Sequence, residues 1–384
     1  MYTNTTTVIC IPFHTEVDDG CDYTAQTIAM LEKKHRVFVL MFSQPRSWKD
    51  LYALLRGKKK LVENDGNTTR VHPFLLIPFQ RVRFIKQLSF FFTAWLTKAY
   101  ISLRYAAARK IFWFFEPQHV LGMLSIFHSF VTVFDMVDDF ATQEKDAHKR
   151  ERITALTDLI TVNSQTLFDR YQDIHPKVVR VPLGFSLDLF AQTAKILRRI
   201  PPLSRSTVVG FVGGVNYRFD FPLLFALAER LSAVEFRFVG PLQLNLIDGD
   251  HQTAHQVKRL FEYPNVTYIE NQPKTKIPTI LEQLDICMIP YDVLHPFNKY
   301  SFPMKVMEYL YLGKPILTTP ILELLPLRKH LSIVHDATEA EREIRKYMTK
   351  GWSAEQRKAQ RQVTKEHTWE AKVSASCAAL GIAR

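Results

Sequence analysis

The stretch NKYSFPMKVMEYLYLGKPILTTP, Asn298 to Pro320, encodes a helix, a stop and a strand in that order. Pro303 suits the first turn of a helix, where its missing N–H leaves no bond unmade. The apolar spacing after it predicts a helix over Met304–Leu312, ended by Gly313. Lys314-Pro315 then leads directly into a short strand, Ile316–Thr318. A helix N-terminus offers backbone N–H groups and the positive end of a dipole, which suits phosphate. Lys305 sits in that first turn, where its charge opposes the dipole and gains nothing for helix stability. Its position makes sense if an anion binds there. Glu308 follows three residues later on the same face, and a carboxylate there can accept both hydroxyls of a ribose. The plain alternatives are a solvated lysine and an exposed helix carboxylate.

The same alternation of helix and strand extends upstream. Strands are predicted at Ile286–Ile289, Val266–Ile269, Glu235–Val239 and Thr207–Val212, with a Gly213-Gly214 turn and a helix near Phe221–Leu231. The first half opens with a strand at Val8–Phe13, a loop over His14–Asp22, a helical pattern over Tyr23–Lys34 and a strand at Val37–Phe42. Further strands are read ending at Phe134, at Leu159–Val162 and at Val178–Pro182. Both halves therefore read as α/β, parallel sheets with helices on their faces. Lys195–Ser206 is basic, holds Pro201-Pro202 and lacks a period, as a linker does. The tail Ala354–Ala379 reads as mostly helical. The expected division is a lobe over residues 1–190, a linker over 191–204 and a lobe over 205–369, with a final helix over about 370–384 packing back on the first lobe. Open α/β sheets bind ligands beyond the carboxyl ends of their strands. A cleft between two such lobes is then the expected site.

A length of 384 residues suits two domains. A composition 47% hydrophobic and 23% charged can bury a core and argues against a disordered chain. The scattered cysteines Cys10, Cys21, Cys287 and Cys377 form no CxxC pair and no zinc spacing, so a reducing compartment is expected. No signal-peptide pattern opens the sequence, and the longest uncharged run, Pro117–Phe134, is too polar for a membrane span. These features point to the cytoplasmic side, peripheral at the inner face of the cell membrane.

With these pieces in order, the chain resembles the GT-B glycosyltransferases, in particular glycosyltransferase family 4 and bacterial exopolysaccharide and teichuronic-acid-type enzymes. The resemblance is carried by the quoted stretch together with ITVNS (160–164), VPLGFSLDLF (181–190), GFVGGVNYRFDFPLL (210–224), FRFVGP (236–241), YPNVTYIENQP (263–273), LEQLDICMIPY (281–291) and HTWEAKV (367–373). It covers most of residues 155–375. It implies the GT-B fold, two Rossmann-like doubly wound lobes facing a central cleft, with the acceptor on the first and the nucleotide sugar on the second. It implies that Glu308 binds the donor ribose and that Lys305, Met304, Pro303 and Phe302 lie at the diphosphate. Gln272 and Tyr291, in the flanking pieces, join the nucleotide-binding set. UDP is the implied nucleotide. No metal or other cofactor is implied, because dipoles and basic side chains neutralise the leaving diphosphate. One departure matters: retaining members carry two glutamates separated by seven residues, whereas Tyr300 stands eight positions before Glu308. That favours the inverting relatives, some of which carry a similar Met-Lys pair at this place.

The Gly213-Gly214 turn with Arg218 is a second phosphate candidate. Glycine lets backbone approach an oxyanion, and a guanidinium can fork onto it. An ordinary strand-to-helix turn is the alternative. In the first half, Val131–Phe140 reads VTVFDMVDDF, a strand running into three carboxylates. An acceptor hydroxyl needs a base as it attacks the anomeric carbon, and clustering can raise one carboxyl toward a useful pKa. Asp138 is favoured as base, Asp135 next, and Asp139 alternatively caps the next segment. A divalent-metal pair and a simple capping cluster are the competing readings. Asp18, Asp19, Gly20, His14 and Glu116 are weaker candidates.

The net charge of +12 is uneven. From Arg56 to Lys110 twelve Lys/Arg face only Glu63 and Asp65, which is nearly the whole excess. Within this block Phe84, Leu88, Phe91, Trp95, Ala99 and Leu103 recur at helical spacing, widened by Phe92, Leu96 and Tyr100. A basic amphipathic helix of this kind can lie on an anionic membrane surface, or its stripe can pack on the sheet. No nucleic-acid motif accompanies the charge. The expected function is transfer of a hexosyl or glycuronosyl group from a UDP-sugar to a glycan or polyprenyl-linked acceptor in envelope or exopolysaccharide assembly. A GT-B-shaped nucleotide-sugar epimerase and a non-catalytic sugar-nucleotide or membrane scaffold are the alternatives.

Overall fold

Strands buried on both faces need apolar residues at every position, and such runs belong to parallel sheets. β1 (Thr7–Phe13) is buried along its whole length. Val8 and Cys10 enter one core, while Ile9, Ile11 and Phe13 enter a second core on the opposite face. The computed structural model describes residues 7–13, 23–41, 52, 56, 60–73, 83–115, 120–137, 144–196, 206–244 and 251–382. The chain divides into two compact units, Met1–Val181 with Val373–Arg384, and Pro182–Lys372.

Among its described residues the first unit adds β2 (Arg36–Met41), β3 (Val62–Asp65), β4 (Thr68–Val71), β5 (Arg109–Phe114), β6 (Val131–Met136), β7 (Leu159–Val162) and β8 (Val178–Arg180). Their order is β3-β4-β2-β1-β5-β6-β7-β8. All neighbours are parallel except the β3–β4 hairpin. One core stacks Phe112 on Phe127 at 4.6 Å and Phe114 on Phe134 at 4.8 Å. The other receives Val373, Cys377, Leu380 and Ile382, from the end of helix Trp369–Leu380 and just beyond it. Arg109 at the start of β5 donates to the carbonyls of Leu380 (2.5 Å) and Gly381 (3.1 Å). A cation is well placed on the unpaired carbonyls at a helix C-terminus.

The second unit holds β9 (Val208–Val212), β10 (Glu235–Val239), β11 (Val266–Ile269), β12 (Ile286–Ile289), β13 (Ile316–Thr318) and β14 (Ser332–Ile333). The order β11-β10-β9-β12-β13-β14, all parallel, is that of a dinucleotide-binding sheet. The direction of strand order reverses between β9 and β12, and ligands bind at such a switch point.

Several expectations meet the structure differently. Leu187–Ile196 is a helix that packs on helices Ile277–Glu282 and Lys305–Leu312. The division therefore falls at Val181–Pro182, ahead of the boundary read at 190, and residues 197–204 of the expected linker lie outside the described residues. The β3–β4 hairpin and β5 had no counterpart in the sequence reading. Helix Arg83–Arg104 forms, but its apolar stripe does not all turn inward. Phe90, Ala94 and Ile101 enter the core, whereas Leu88, Phe92, Trp95, Tyr100 and Leu103 are exposed.

Candidate functional site

Helix Lys305–Leu312 is fixed by what it buries. Val306, Met307, Tyr309, Leu310 and Leu312 are all covered, and the Val212 N–H at the end of β9 donates to Tyr309 Oη at 3.1 Å. That bond ties the helix to the end of β9, on one side of the switch point. The helix begins one residue later than read, with Met304 at its N-cap and Pro303 just ahead, and it ends at Gly313. Lys305 and Glu308 occupy the half-covered side.

Lys305 reaches back over the turn that follows β9. Its Nζ donates to Tyr291 Oη at 2.6 Å and lies 4.5 Å from the centre of the Phe211 ring. Gly213 has φ 146°, and a methyl group there would stand 2.9 Å from Lys305 Cε and 3.0 Å from Nζ. Glycine is required twice over at this position, for the backbone angle and for the passage of the lysine. Gly214 lies against Gln243, which accepts from Asn216 Nδ2 at 2.9 Å.

Arg218 meets the same aromatic ring. Its guanidinium lies 4.2 Å from the centre of the Tyr291 ring and 4.7 Å from that of Phe297. Nε donates to Asn298 Oδ1 at 2.7 Å and Nη2 to Ser301 Oγ at 2.9 Å. Asn298 is fully buried and returns Nδ2–H bonds to the carbonyls of Arg218 (3.0 Å) and Asp292 (2.8 Å). Two cations are thus held over Tyr291, which lies just past the end of β12. Cation–π contact favours both placements.

Glu308 pairs with Lys274, Oε1 to Nζ at 3.4 Å, with side chains only 12% and 23% exposed. Lys274 opens the short turn after β11, next to Gln272, whose Nε2 donates to the Glu270 carbonyl at 3.2 Å. Phe302 packs near His367, ring centres 6.2 Å apart. The sequence reading missed Lys274, Asn298 and Ser301. The last two stand inside the quoted motif. Lys274 carried only a weak signal, a lysine just past a strand end.

Asp135 lies within β6, only 1% exposed, and accepts from the Trp113 indole N–H at 3.3 Å. Asp138 and Asp139 lie outside the described residues, as do His14, Asp18, Asp19, Gly20 and Glu116. Burial pushes the Cys10 thiol up and the Cys287 thiol up to about 12, which leaves both without thiolate chemistry at neutral pH.

Residues 222–378 match the family Glyco_trans_1_2, glycosyl transferase-like. TuaH of Bacillus subtilis (strain 168), named as a teichuronic acid biosynthesis glycosyltransferase, is 31% identical over 144 residues. That match covers 37% of this chain and 34% of the relative, about a third of its length. Among solved structures, a sucrose-phosphate synthase from Thermosynechococcus elongatus aligns with a TM-score of 0.68 at 14% identity, covering 98% of each chain. HepE of Anabaena in complex with UDP-glucose aligns at 0.66 and 14% identity, covering 97% of this chain and 99% of that one. The fold is GT-B. The β9–β12 switch point of this GT-B chain is bordered by the Gly213 turn, Arg218, Tyr291 and Lys305. Glu308 lies three residues further along the same helix, at its contact with the turn after β11.

Proposed function

We propose that this chain is a glycosyltransferase that takes its sugar from a UDP-sugar and passes it to a glycan or polyprenyl-linked acceptor in envelope or exopolysaccharide assembly. The observation that carries the reading is the pair of cations on Tyr291. Lys305 and Arg218 stand where a diphosphate would meet the helix and the glycine turn. Developing negative charge on a leaving diphosphate is stabilised by fixed donors and cations of this kind. Glu308, three residues along the same helix, takes the ribose. The UDP-glucose complex of HepE and the name of TuaH support the donor and pathway class by analogy.

Asp138 is the proposed base. Asp135, buried and bonded to an indole, suits a structural acceptor better than a proton carrier. Tyr300, in place of a second glutamate, supports inversion at the anomeric carbon. The leaving group is carried by Lys305 and Arg218 without a metal. The test is a panel of sugar nucleotides screened for binding, then assayed for transfer with glycan and polyprenyl-phosphate acceptors, with and without EDTA. Product configuration is read by NMR. Transfer that survives EDTA and inverts the anomeric centre is expected. No turnover with any UDP-sugar, or a retained configuration, overturns the respective part. Full activity in Asp138→Asn removes the base assignment.

A further inference from the structure

We propose that the outward face of helix Arg83–Arg104 in the first unit docks on an anionic lipid surface. It rests on residues of the first unit and not on the donor site.

The helix is amphipathic in an inverted sense. Leu88, Phe92, Trp95 and Leu103 recur at spacings of four, three and eight, which puts them on one stripe. They are exposed by 51%, 42%, 56% and 84%. The buried side of the same helix carries Ser89, Thr93 and Thr97 beside Phe90, Ala94 and Ile101. The threonine hydroxyls need nothing from outside. Thr93 Oγ1 donates to the Ser89 carbonyl and Thr97 Oγ1 to the Thr93 carbonyl, each at 2.8 Å. A helix that shelters threonines and shows tryptophan and leucine to water is not accounted for by its own core.

Charge selects the occupant. The helix holds no Asp or Glu, and the surrounding block from Arg56 to Lys110 carries twelve basic residues against two acidic ones. Some of these charges are engaged internally: Arg109 on the C-terminal carbonyls, Lys110 on the Ala106 and Ala108 carbonyls, Arg70 with Asp65. Arg104 and Lys60 remain exposed, and Lys98 half-exposed beside the stripe. An apolar stripe on a helix without acidic residues, in a block of strongly positive charge, suits the boundary between acyl chains and anionic headgroups. Its exposed area, on the order of several hundred Å², reaches the size at which patches mark interaction or membrane sites. Among the described residues no helix is long and apolar enough to cross a membrane, so the contact is one of lying on the surface.

The test uses the full chain and two vesicle types, phosphatidylcholine alone and phosphatidylcholine with one-third phosphatidylglycerol. Flotation is expected with the anionic vesicles only, weakening as salt is raised. Trp95→Ala combined with Leu103→Ala is expected to lower partitioning by about tenfold or more, since each removes an apolar side chain from the contact. Both side chains are exposed, so the melting temperature and UDP affinity should stay at the parent values. Equal flotation of parent and variant overturns the proposal, as does failure of the parent to bind anionic vesicles. A parent dimer that the variant dissolves in light scattering also overturns it, in favour of a second copy on this face. Failure of the parent to bind UDP would count against the donor reading alone.

Discussion

Replacing Glu308 by Gln removes a negative charge while keeping the shape of the side chain. If the carboxylate accepts from the ribose, the loss is that of a charge-assisted hydrogen bond, about 1.5–3 kcal/mol, or roughly 10–100-fold in Kd for UDP. The free protein complicates the measurement, because Glu308 already lies 3.4 Å from Lys274, both largely covered. At that separation and an effective dielectric near 20 the attraction is roughly 5 kcal/mol before desolvation. Desolvation of two covered charges offsets most of this, but removing one partner leaves the other covered and unpaired. Glu308→Gln should therefore lower the melting temperature as well as weaken UDP by an order of magnitude or more. Titration calorimetry with UDP and 2′-deoxy-UDP separates the two effects. The missing hydroxyl should penalise binding to the parent more than binding to Glu308→Gln, because the amide oxygen still accepts from that hydroxyl but without charge assistance. Lys274→Met, which breaks the pair without touching the carboxylate, should keep the discrimination between the two ligands. UDP affinity within twofold of the parent in Glu308→Gln, or an equal 2′-deoxy penalty in both proteins, would refute the ribose assignment.

Gly213→Ala forces a side chain into a backbone region that costs about 1–3 kcal/mol and against Lys305, at 2.9 Å from Cε. UDP affinity should fall more than tenfold, and calorimetry showing parental affinity would remove the Gly213 turn from the site. Tyr309→Phe deletes the acceptor of the Val212 N–H in a buried setting, so urea unfolding should show a loss of about 1–3 kcal/mol. An unchanged midpoint would mean that the bond adds nothing. Burial, and then Asp292 nearby, raise the Asp220 carboxyl above its ordinary 3.8. A raised carboxyl favours the protonated folded state, so the stabilisation linked to it is full below 3.8 and is lost as pH rises through the folded value. In Asp220→Asn the amide oxygen can still accept from the Leu223 N–H, as the carboxylate does at 2.9 Å. That variant should therefore melt at or above the parent temperature at pH 7, an advantage that shrinks on acidification. Asp220→Ala, which loses the helix cap, should cost about 1 kcal/mol at the same pH. Melts in which Asn is the worse substitution would contradict the assigned direction.

How far the site was legible depended on what fixes each distance. Lys305 and Glu308 were readable because helix geometry alone sets residues three apart on one face. Lys274 was not, because its meeting with Glu308 depends on which strand ends become neighbours. That is fixed by the order β11-β10-β9-β12-β13-β14, a property of the whole second unit. Lys305 shows the gain from having both levels. Against the helix dipole alone it looked misplaced, yet the structure holds its ammonium on Tyr291 Oη and over the Phe211 ring. The lysine is drawn toward the strand ends and the glycine turn, so its position answers to the switch point more than to its own helix. Helix Arg83–Arg104 shows the converse limit. Periodicity states which residues share a face and leaves open which face turns inward. The usual assumption, apolar side in, fails where threonines satisfy their hydroxyls on the preceding turn. Once those hydroxyls are bonded within the helix, burying the Thr93–Thr97 side costs little, and Phe90, Ala94 and Ile101 beside it supply the core contacts. The tryptophan and leucines opposite stay half or more exposed, which is why they bear on what the first unit meets.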